Sequence, residues 1–412
     1  MYKAGSSLTI TICKLWLVVV IALLIVASQI AQAQTLTVLH TFTEENGDGE
    51  MPYAGVILDN KGNLYGTTEL GGLEGGGMVF RLAPDGTLEN LLPRYFAVCE
   101  LYAGLLKIKQ SLYSTSIACG EYGGGALFEL TYVPKAGHYD GKILYSFYGS
   151  VGNYQWPTSD LVADPEGNLY GTTRYGGHEY GTVYEVSPEG TETVLYAFCP
   201  DEPEGCTDGS IPLAGLVRDA DGNLYGTTVY GGAYGGVDGC GTVFEVTPAG
   251  TETVLHSFQC APDGSAPSAD LIMDAKGNLY GTTGGGGSDR CGTVFEIAAG
   301  SMEKVLYSFQ CPPDGSGPLA ALIRDEMGNL YGTTAYGGVY GNGTIFKLAF
   351  SRRQKTYTEQ VLYSFTGGAD GANPYSKLAM DKEGNLYGTT EQGGDLSDCY
   401  GRGCGTVFML TP

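Results

Sequence analysis

Six near-identical copies of one ten-residue phrase, Asp-x-x-Gly-Asn-Leu-Tyr-Gly-Thr-Thr, begin at Asp59, Asp164, Asp219, Asp274, Asp325 and Asp381. A seventh, degenerate copy runs Gln110-Ser-Leu-Tyr-Ser-Thr-Ser116. The tyrosines Tyr65, Tyr113, Tyr170, Tyr225, Tyr280, Tyr331 and Tyr387 stand 48, 57, 55, 55, 51 and 56 residues apart. A period of that size means one supersecondary unit repeated, each unit burying its apolar face on its neighbour. The repeat constrains architecture strongly and chemistry hardly at all.

Residues 213 to 258 hold one whole unit. Leu213-Ala-Gly-Leu-Val-Arg218 leads through the turn Asp219-Ala-Asp-Gly222 into Asn223-Leu-Tyr-Gly-Thr-Thr228. A Gly-rich loop follows, then Gly241-Thr-Val-Phe-Glu-Val246, the turn Thr247-Pro-Ala-Gly250, and Thr251-Glu-Thr-Val-Leu-His-Ser-Phe258. These are four β-branched and aromatic runs of about six residues bounded by turn residues, here named strands a to d. Their short connections predict an antiparallel meander. The c phrase recurs from Gly181, Gly292, Gly343 and Gly405, with weaker forms from Gly77 and Gly125. The d phrase ends at Phe147, Phe198, Phe309 and Phe365, with a degenerate version over about Leu88 to Phe96.

The last unit contains a, b and c and stops at Pro412, whereas Leu36-Thr-Val-Leu-His-Thr-Phe42 is a d strand ahead of any a strand. A ring uses that offset, because the early strand completes the final sheet; a linear β-solenoid, the alternative, does not. The expected fold is all-β: a seven-bladed β-propeller of four-stranded antiparallel blades over residues 34–412, with 34–43 as the closing strand. At roughly 54 residues per blade, the surplus over a typical propeller repeat falls in loops. The repeated aspartate either opens a tight turn, with Gly at a positive-φ position, or forms a calcium ladder; turn chemistry is the simpler reading.

The phrases Gly-Asn-Leu-Tyr-Gly-Thr-Thr, Gly-Thr-Val-Phe-Glu and Val-Leu-Tyr-Ser-Phe resemble the bacterial GloVer tandem-repeat family of exported proteins, described as "choice-of-anchor" for their varied C-terminal sorting tails. The resemblance spans the chain beyond its leader, implies export, and brings no activity with it. More loosely, Asp-x-x-Gly-Asn-Leu-Tyr is similar to the strand-turn-strand phrase of NHL-type propellers, which bears on fold alone.

Residues 1–33 read as a secretory signal peptide: Lys3 and Lys14, the apolar run Leu15 to Ala27, then the small-x-small site Ala31-Gln-Ala33. An uncleaved N-terminal anchor is the alternative, and no C-terminal anchor is expected. The predicted location is periplasmic, extracellular or at the cell surface, without membrane insertion once the leader is cleaved. A net charge of −23 disfavours nucleic acid and anionic lipid. Ten cysteines follow the leader, an even number suited to an oxidising compartment. Cys240 precedes strand c and Cys260 follows strand d of the same blade, and Cys291 and Cys311 repeat the relation, so each pair falls at facing hairpin ends. Cys99 and Cys119 bracket the a–b hairpin of blade 2, leaving Cys199–Cys206 and Cys399–Cys404 as loop staples.

In a four-stranded meander the b–c and d–a loops share a face. Their candidate ligand-binding residues are Tyr122, Tyr175, Tyr180, Tyr230, Tyr234, Tyr336 and Tyr340 in b–c loops. The d–a loops add the Asp-Gly-x-x-Pro aspartates Asp208, Asp263, Asp314 and Asp370, with Asp48 in the same motif. Tyrosine stacks on sugars and apolar groups, and an aspartate ring could hold Ca²⁺. Alternatively the same residues only build inter-blade turns and shield blade edges. No catalytic residues are assigned: the four histidines hold unrelated positions, with His40 and His256 replacing the d-strand tyrosine as packing variants. Asp160 and Asp270 occupy one slot in two units, which reads as a repeat feature. The expected function is a monomeric, secreted binding or scaffold protein that recognises a glycan or protein through this face. An extracellular hydrolase or lyase acting in the channel, with or without Ca²⁺, is the alternative, and a purely structural surface protein is a third.

Overall fold

The computed structural model describes residues 34–411 apart from 46, 151–152, 201–204 and 301–302, so the expected leader lies outside it. Among the described residues, seven antiparallel sheets each follow the order a-b-c-d and form seven propeller blades. In blade 4 the strands are Val217–Arg218, Leu224–Thr228, Thr242–Val246 and Glu252–Ser257. Blade 7 takes a, b and c from Ala379–Met380, Leu386–Thr390 and Thr406–Thr411, and d from Thr35–Thr41. That closing strand pairs Thr35 with Thr411 and Thr41 with Thr406. No helix among the described residues is long and apolar enough to cross a membrane.

The repeated phrase folds locally through its aspartate. In blade 4, Asp219 Oδ1 accepts the Asn223 backbone N–H at 2.8 Å. Its Oδ2 accepts the Asn223 side-chain amide at 2.9 Å and the Tyr225 hydroxyl at 3.0 Å. Burial pushes that carboxyl upward, but the Asn223 and Tyr225 bonds outweigh it and hold Asp219 below the usual carboxylate range. All six copies repeat these three bonds, so the turn is the role of this aspartate. The glycine after the tyrosine is required by a close approach: a Cβ on Gly226 would lie 2.6 Å from the Phe244 ring.

Adjacent blades are joined twice. The first threonine of the Thr-Thr pair crosses to a carbonyl of the next blade, as in Thr172 to Ala214 at 2.9 Å and, across the closure, Thr389 to Ala54 at 2.9 Å. The d-strand phenylalanine packs edge-on against the next blade's c strand: Phe198 on Phe244, Phe258 on Phe295, Phe309 on Phe346, Phe365 on Phe408 and Phe42 on Phe80. These d-strand phenylalanines are fully buried. The hydrophobic core is therefore a ring of inter-blade clusters rather than one centre.

Two strands differ from expectation. Strand a pairs over only two residues in most blades, because the residues before it run along the channel and give their carbonyls to the neighbouring threonine. The degenerate d strand of blade 1 pairs only over Leu88–Asn90; beyond it Phe96 packs on Phe128 from a loop and keeps the inter-blade contact. All five cysteine pairs are joined: Cys99–Cys119, Cys199–Cys206, Cys240–Cys260, Cys291–Cys311 and Cys399–Cys404.

Candidate functional site

Every chain segment that enters strand a comes down the channel from the d–a loop. After the proline or its equivalent, the next residue is Tyr53, Tyr102, Thr158, Leu213, Ser268, Leu319 or Tyr375 in blades 1 to 7. Two residues further along stand Gly55, Gly104, Asp160, Gly215, Asp270, Ala321 and Lys377. In extended backbone, residues two apart share a side. The ring thus carries two tiers of side chains, and neither is uniform.

The inner tier lines a cavity of about 510 Å³ built from the entering segments of six blades. Asp160 Oδ1 accepts the Gly104 N–H at 2.6 Å, and Asp270 Oδ1 accepts the Gly215 N–H at 2.5 Å. Each aspartate thus reaches the backbone of the preceding blade, and glycine admits it: a Cβ on Gly104 would stand 2.9 Å from the Asp160 carboxylate. Gly215 lies between the two acids, its Cβ position 3.1 Å from both the Asp160 Cβ and Asp270 Oδ1. Burial pushes the Asp270 carboxyl up, and the negative charge of Asp160 pushes it further; Lys377 and the Gly215 N–H oppose both. Two carboxyl groups, one of them raised by burial and by the other's charge, and a lysine therefore face a single cavity. Such a set can bind hydroxyl groups as donor and acceptor, or shuttle a proton.

The outer tier is aromatic on one side. The Tyr53 ring stacks on Tyr375 at 5.0 Å and meets Tyr102 at 5.2 Å, joining blades 7, 1 and 2. Tyr336 extends the arc through a 2.6 Å contact between its hydroxyl and that of Tyr375. The residue following each Thr-Thr pair is tied by a backbone bond to the one before the proline, as in Glu69 to Met51, Arg174 to Trp156 and Glu391 to Asn373. This places Glu69 and Glu391 beside the tyrosines. Tyr102 donates to Glu69 at 2.7 Å, and burial raises both glutamates above the usual carboxylate range. Tyr53 is pushed up to about 12, by burial first and then by Glu391. In blade 3, Arg174 lies 5.7 Å from the Trp156 ring and 5.1 Å from that of Tyr175. Blades 4 to 6 present Leu213, Ser268 and Leu319 in the same slot. The mouth is thus polar and aromatic on one half, aliphatic and small on the other.

The loop residues expected to bind ligand are distributed differently. The d–a and b–c loops do meet on one face, through pairs such as Gly264 with Gly286 and Gly315 with Gly337. Asp208, Asp314 and Asp370 accept the Tyr196, Tyr307 and Tyr363 hydroxyls at 2.8, 2.7 and 3.0 Å, and Asp263 bonds His256. These acids fasten the end of strand d and do not converge on the channel. Tyr122 stands beside Tyr148, Tyr180 packs on the blade 3–4 core, and Tyr230, Tyr234 and Tyr340 are exposed. Only Tyr175 and Tyr336 reach the groups at the mouth. The slot shared by Asp160 and Asp270 is no uniform repeat feature, since the other blades fill it with glycine, alanine or lysine. Sequence reading missed Lys377, Tyr53, Tyr102, Tyr375, Glu69, Glu391 and Arg174. Their signal was departure from the repeat at two fixed offsets from the proline and the Thr-Thr pair.

A family model described as a Gloeobacter/Verrucomicrobia repeat matches residues 26–237 and 204–408. No curated protein matches the sequence. Solved structures resemble the fold at low identity. A candidate 6-phosphogluconolactonase from Bacteroides uniformis aligns at 15% identity, covering 87% of this chain and 89% of its own, with a TM-score of 0.47. An oxidoreductase (glucose dehydrogenase) described from Thermus thermophilus aligns at 14%, covering 92% and 100%, with a TM-score of 0.46. A luciferin-regenerating enzyme aligns at 16%, covering 74% and 88%, with a TM-score of 0.41.

Proposed function

Because the chain belongs to the Gloeobacter/Verrucomicrobia repeat family, we propose that its function resides where its repeats are unequal, as recognition of an extracellular glycan at the channel mouth. The arc of Tyr375, Tyr53 and Tyr102 carries this reading. Aromatic faces beside carboxyls stack on sugar rings while the polar groups take up hydroxyls. Asp160, Asp270 and Lys377 would receive the end of the chain that enters the cavity. The five disulfides support action in an oxidising compartment outside the cytoplasm.

Affinity electrophoresis of the purified protein through gels carrying different polysaccharides, with Ca²⁺ and then with chelator, tests the proposal. One glycan should retard the protein, and Tyr53→Ala with Tyr375→Ala should weaken that binding by at least about tenfold, the equivalent of ~1.4 kcal/mol. Tyr230→Ala with Tyr234→Ala should leave it unchanged. Retardation by no glycan sinks the reading; loss only in the Tyr230/Tyr234 variant moves the site to the loop rim.

A second reading, hydrolysis or lysis within the channel, is favoured by one observation: a buried carboxyl raised by burial and by a second acid, with a lysine lining the same cavity. It predicts product release from the retained polysaccharide, abolished by Asp160→Asn or Asp270→Asn while retardation persists. Retardation without release leaves a binding protein.

A further inference from the structure

Away from the channel, successive blades meet at their outer rims through a repeated triplet. It comprises the d-strand residue two before the buried phenylalanine, the aspartate of the following Asp-Gly turn, and the d-strand glutamate of the next blade that pairs with the aliphatic residue of its strand c, Val246, Ile297 or Leu348. The triplets are Tyr196–Asp208–Glu252, His256–Asp263–Glu303 and Tyr307–Asp314–Glu359. Of these three triplets, only the one between blades 4 and 5 has an imidazole as its first member.

That substitution changes what the triplet can do. His256, Asp263 and Glu303 each offer a ligand atom, and these atoms all lie within 4.8 Å of one another. Asp263 Oδ2 is engaged by His256 Nε2 at 3.0 Å and by the Gln259 N–H at 3.1 Å. Asp263 Oδ1 and Glu303 Oε1 are shielded from solvent and accept no hydrogen bond from an N–H or hydroxyl donor; the Oε1 of Glu252 and Glu359 is left the same way, so it is the Asp263 oxygen that sets this triplet apart. Two desolvated carboxyl oxygens without such donors are costly, and one cation would satisfy both. The Phe258 ring sits edge-on to His256 at 4.7 Å and fixes the plane of the imidazole. All three side chains border an open cavity of about 790 Å³, which also contacts Tyr234. Three protein ligands beside an open space is the arrangement of a metal centre with an exchangeable position.

We propose that His256, Asp263 and Glu303 form a binding site for a divalent transition-metal ion, with an open coordination position facing this cavity. One imidazole nitrogen and two carboxylates suit Zn²⁺ better than Ca²⁺ or Mg²⁺, which take oxygen ligands only. The other histidine of this kind supplies a contrast within the chain. His40 lies 3.1 Å from Asp48, but blade 1 has Leu88 at the register where blade 5 has Glu303, so the third donor is missing. Glu44 with Cys399 and Cys404 forms no rival site, since those sulfurs are joined in a disulfide. This site is independent of glycan recognition at the mouth.

The test is equilibrium dialysis of the purified protein against Zn²⁺ in physiological salt with excess Mg²⁺. Bound metal is counted by elemental analysis, and Co²⁺ absorption reports the ligand set. One Zn²⁺ per chain is expected. His256→Tyr, which installs the residue of the sister blades, should reduce uptake to none without altering circular dichroism. Tyr307→His, with Asp314 and Glu359 already in place, should raise it to two. Failure of the wild-type protein to take up Zn²⁺ overturns the proposal; so does uptake that His256→Tyr leaves intact. A Tyr307→His protein that stays at one refutes the argument from donor geometry.

Discussion

The outer-rim glutamates make the protein's stability fall as pH rises, by an amount that can be worked out. Burial first, and the charge of Asp208 or Asp314 second, push Glu252 and Glu359 from 4.5 to about 7. Below pH 4.5 both are protonated in folded and unfolded chains alike, and contribute nothing. Between 4.5 and about 7 the unfolded chain releases these protons while the folded chain retains them, so rising pH favours unfolding. Above about 7 the penalty stays at its full value. At ~1.4 kcal/mol per pH decade the shift corresponds to roughly 3 kcal/mol for each group. Solvent screening at these half-buried positions reduces this to about 1–2 kcal/mol each.

Glu252→Gln with Glu359→Gln keeps the shape and removes the charge. The amides can also donate to Asp208 and Asp314, as the protonated acids would. Urea denaturation with disulfides intact, run from pH 4 to pH 9, should show the double variant equal to wild type at the acid end. At pH 8 it should be more stable by about 2–4 kcal/mol. Glu166→Gln, at an exposed position, controls for net charge. If variant and wild type lose stability in parallel between pH 5 and 8, the two glutamates ionise normally and the account of the blade interface is wrong.

Two further outcomes bear on the ring. Deleting residues 34–43 removes the partner of Thr406–Thr411 and the Phe42–Phe80 contact; the protein should lose cooperative unfolding, and a truncated chain that melts like wild type would show that the circle closes otherwise. Replacing Cys240 and Cys260 by alanine opens a loop spanning 20 residues, which should cost about 3 kcal/mol by urea titration. No change would mean the hairpin is already as constrained without the bond.

Much of the architecture was legible because its causes are local. Asp219, Gly222, Asn223 and Tyr225 fall within seven residues and complete their hydrogen bonds among themselves, so one phrase writes one turn. The cysteine spacing was legible too, because an antiparallel hairpin places the start of one strand opposite the end of the next. The two-residue a strand was not, since its limit is set by a threonine of another blade. Nor was the role of His256 within the triplet, as Glu303 comes from the neighbouring sheet.

By itself the sequence determined the repeated unit, its four strands, the number of blades, the closing strand and the disulfides. These follow from period, turn chemistry and the alternation of side chains, which act over a few residues. Only the tertiary structure decided that Asp160, Asp270 and Lys377 share a cavity and that Tyr375, Tyr53 and Tyr102 form one arc. Closure of the ring is the physical reason. It brings slots from distant repeats around one axis, and what they form there depends on which blades carry which residue, not on any local pattern.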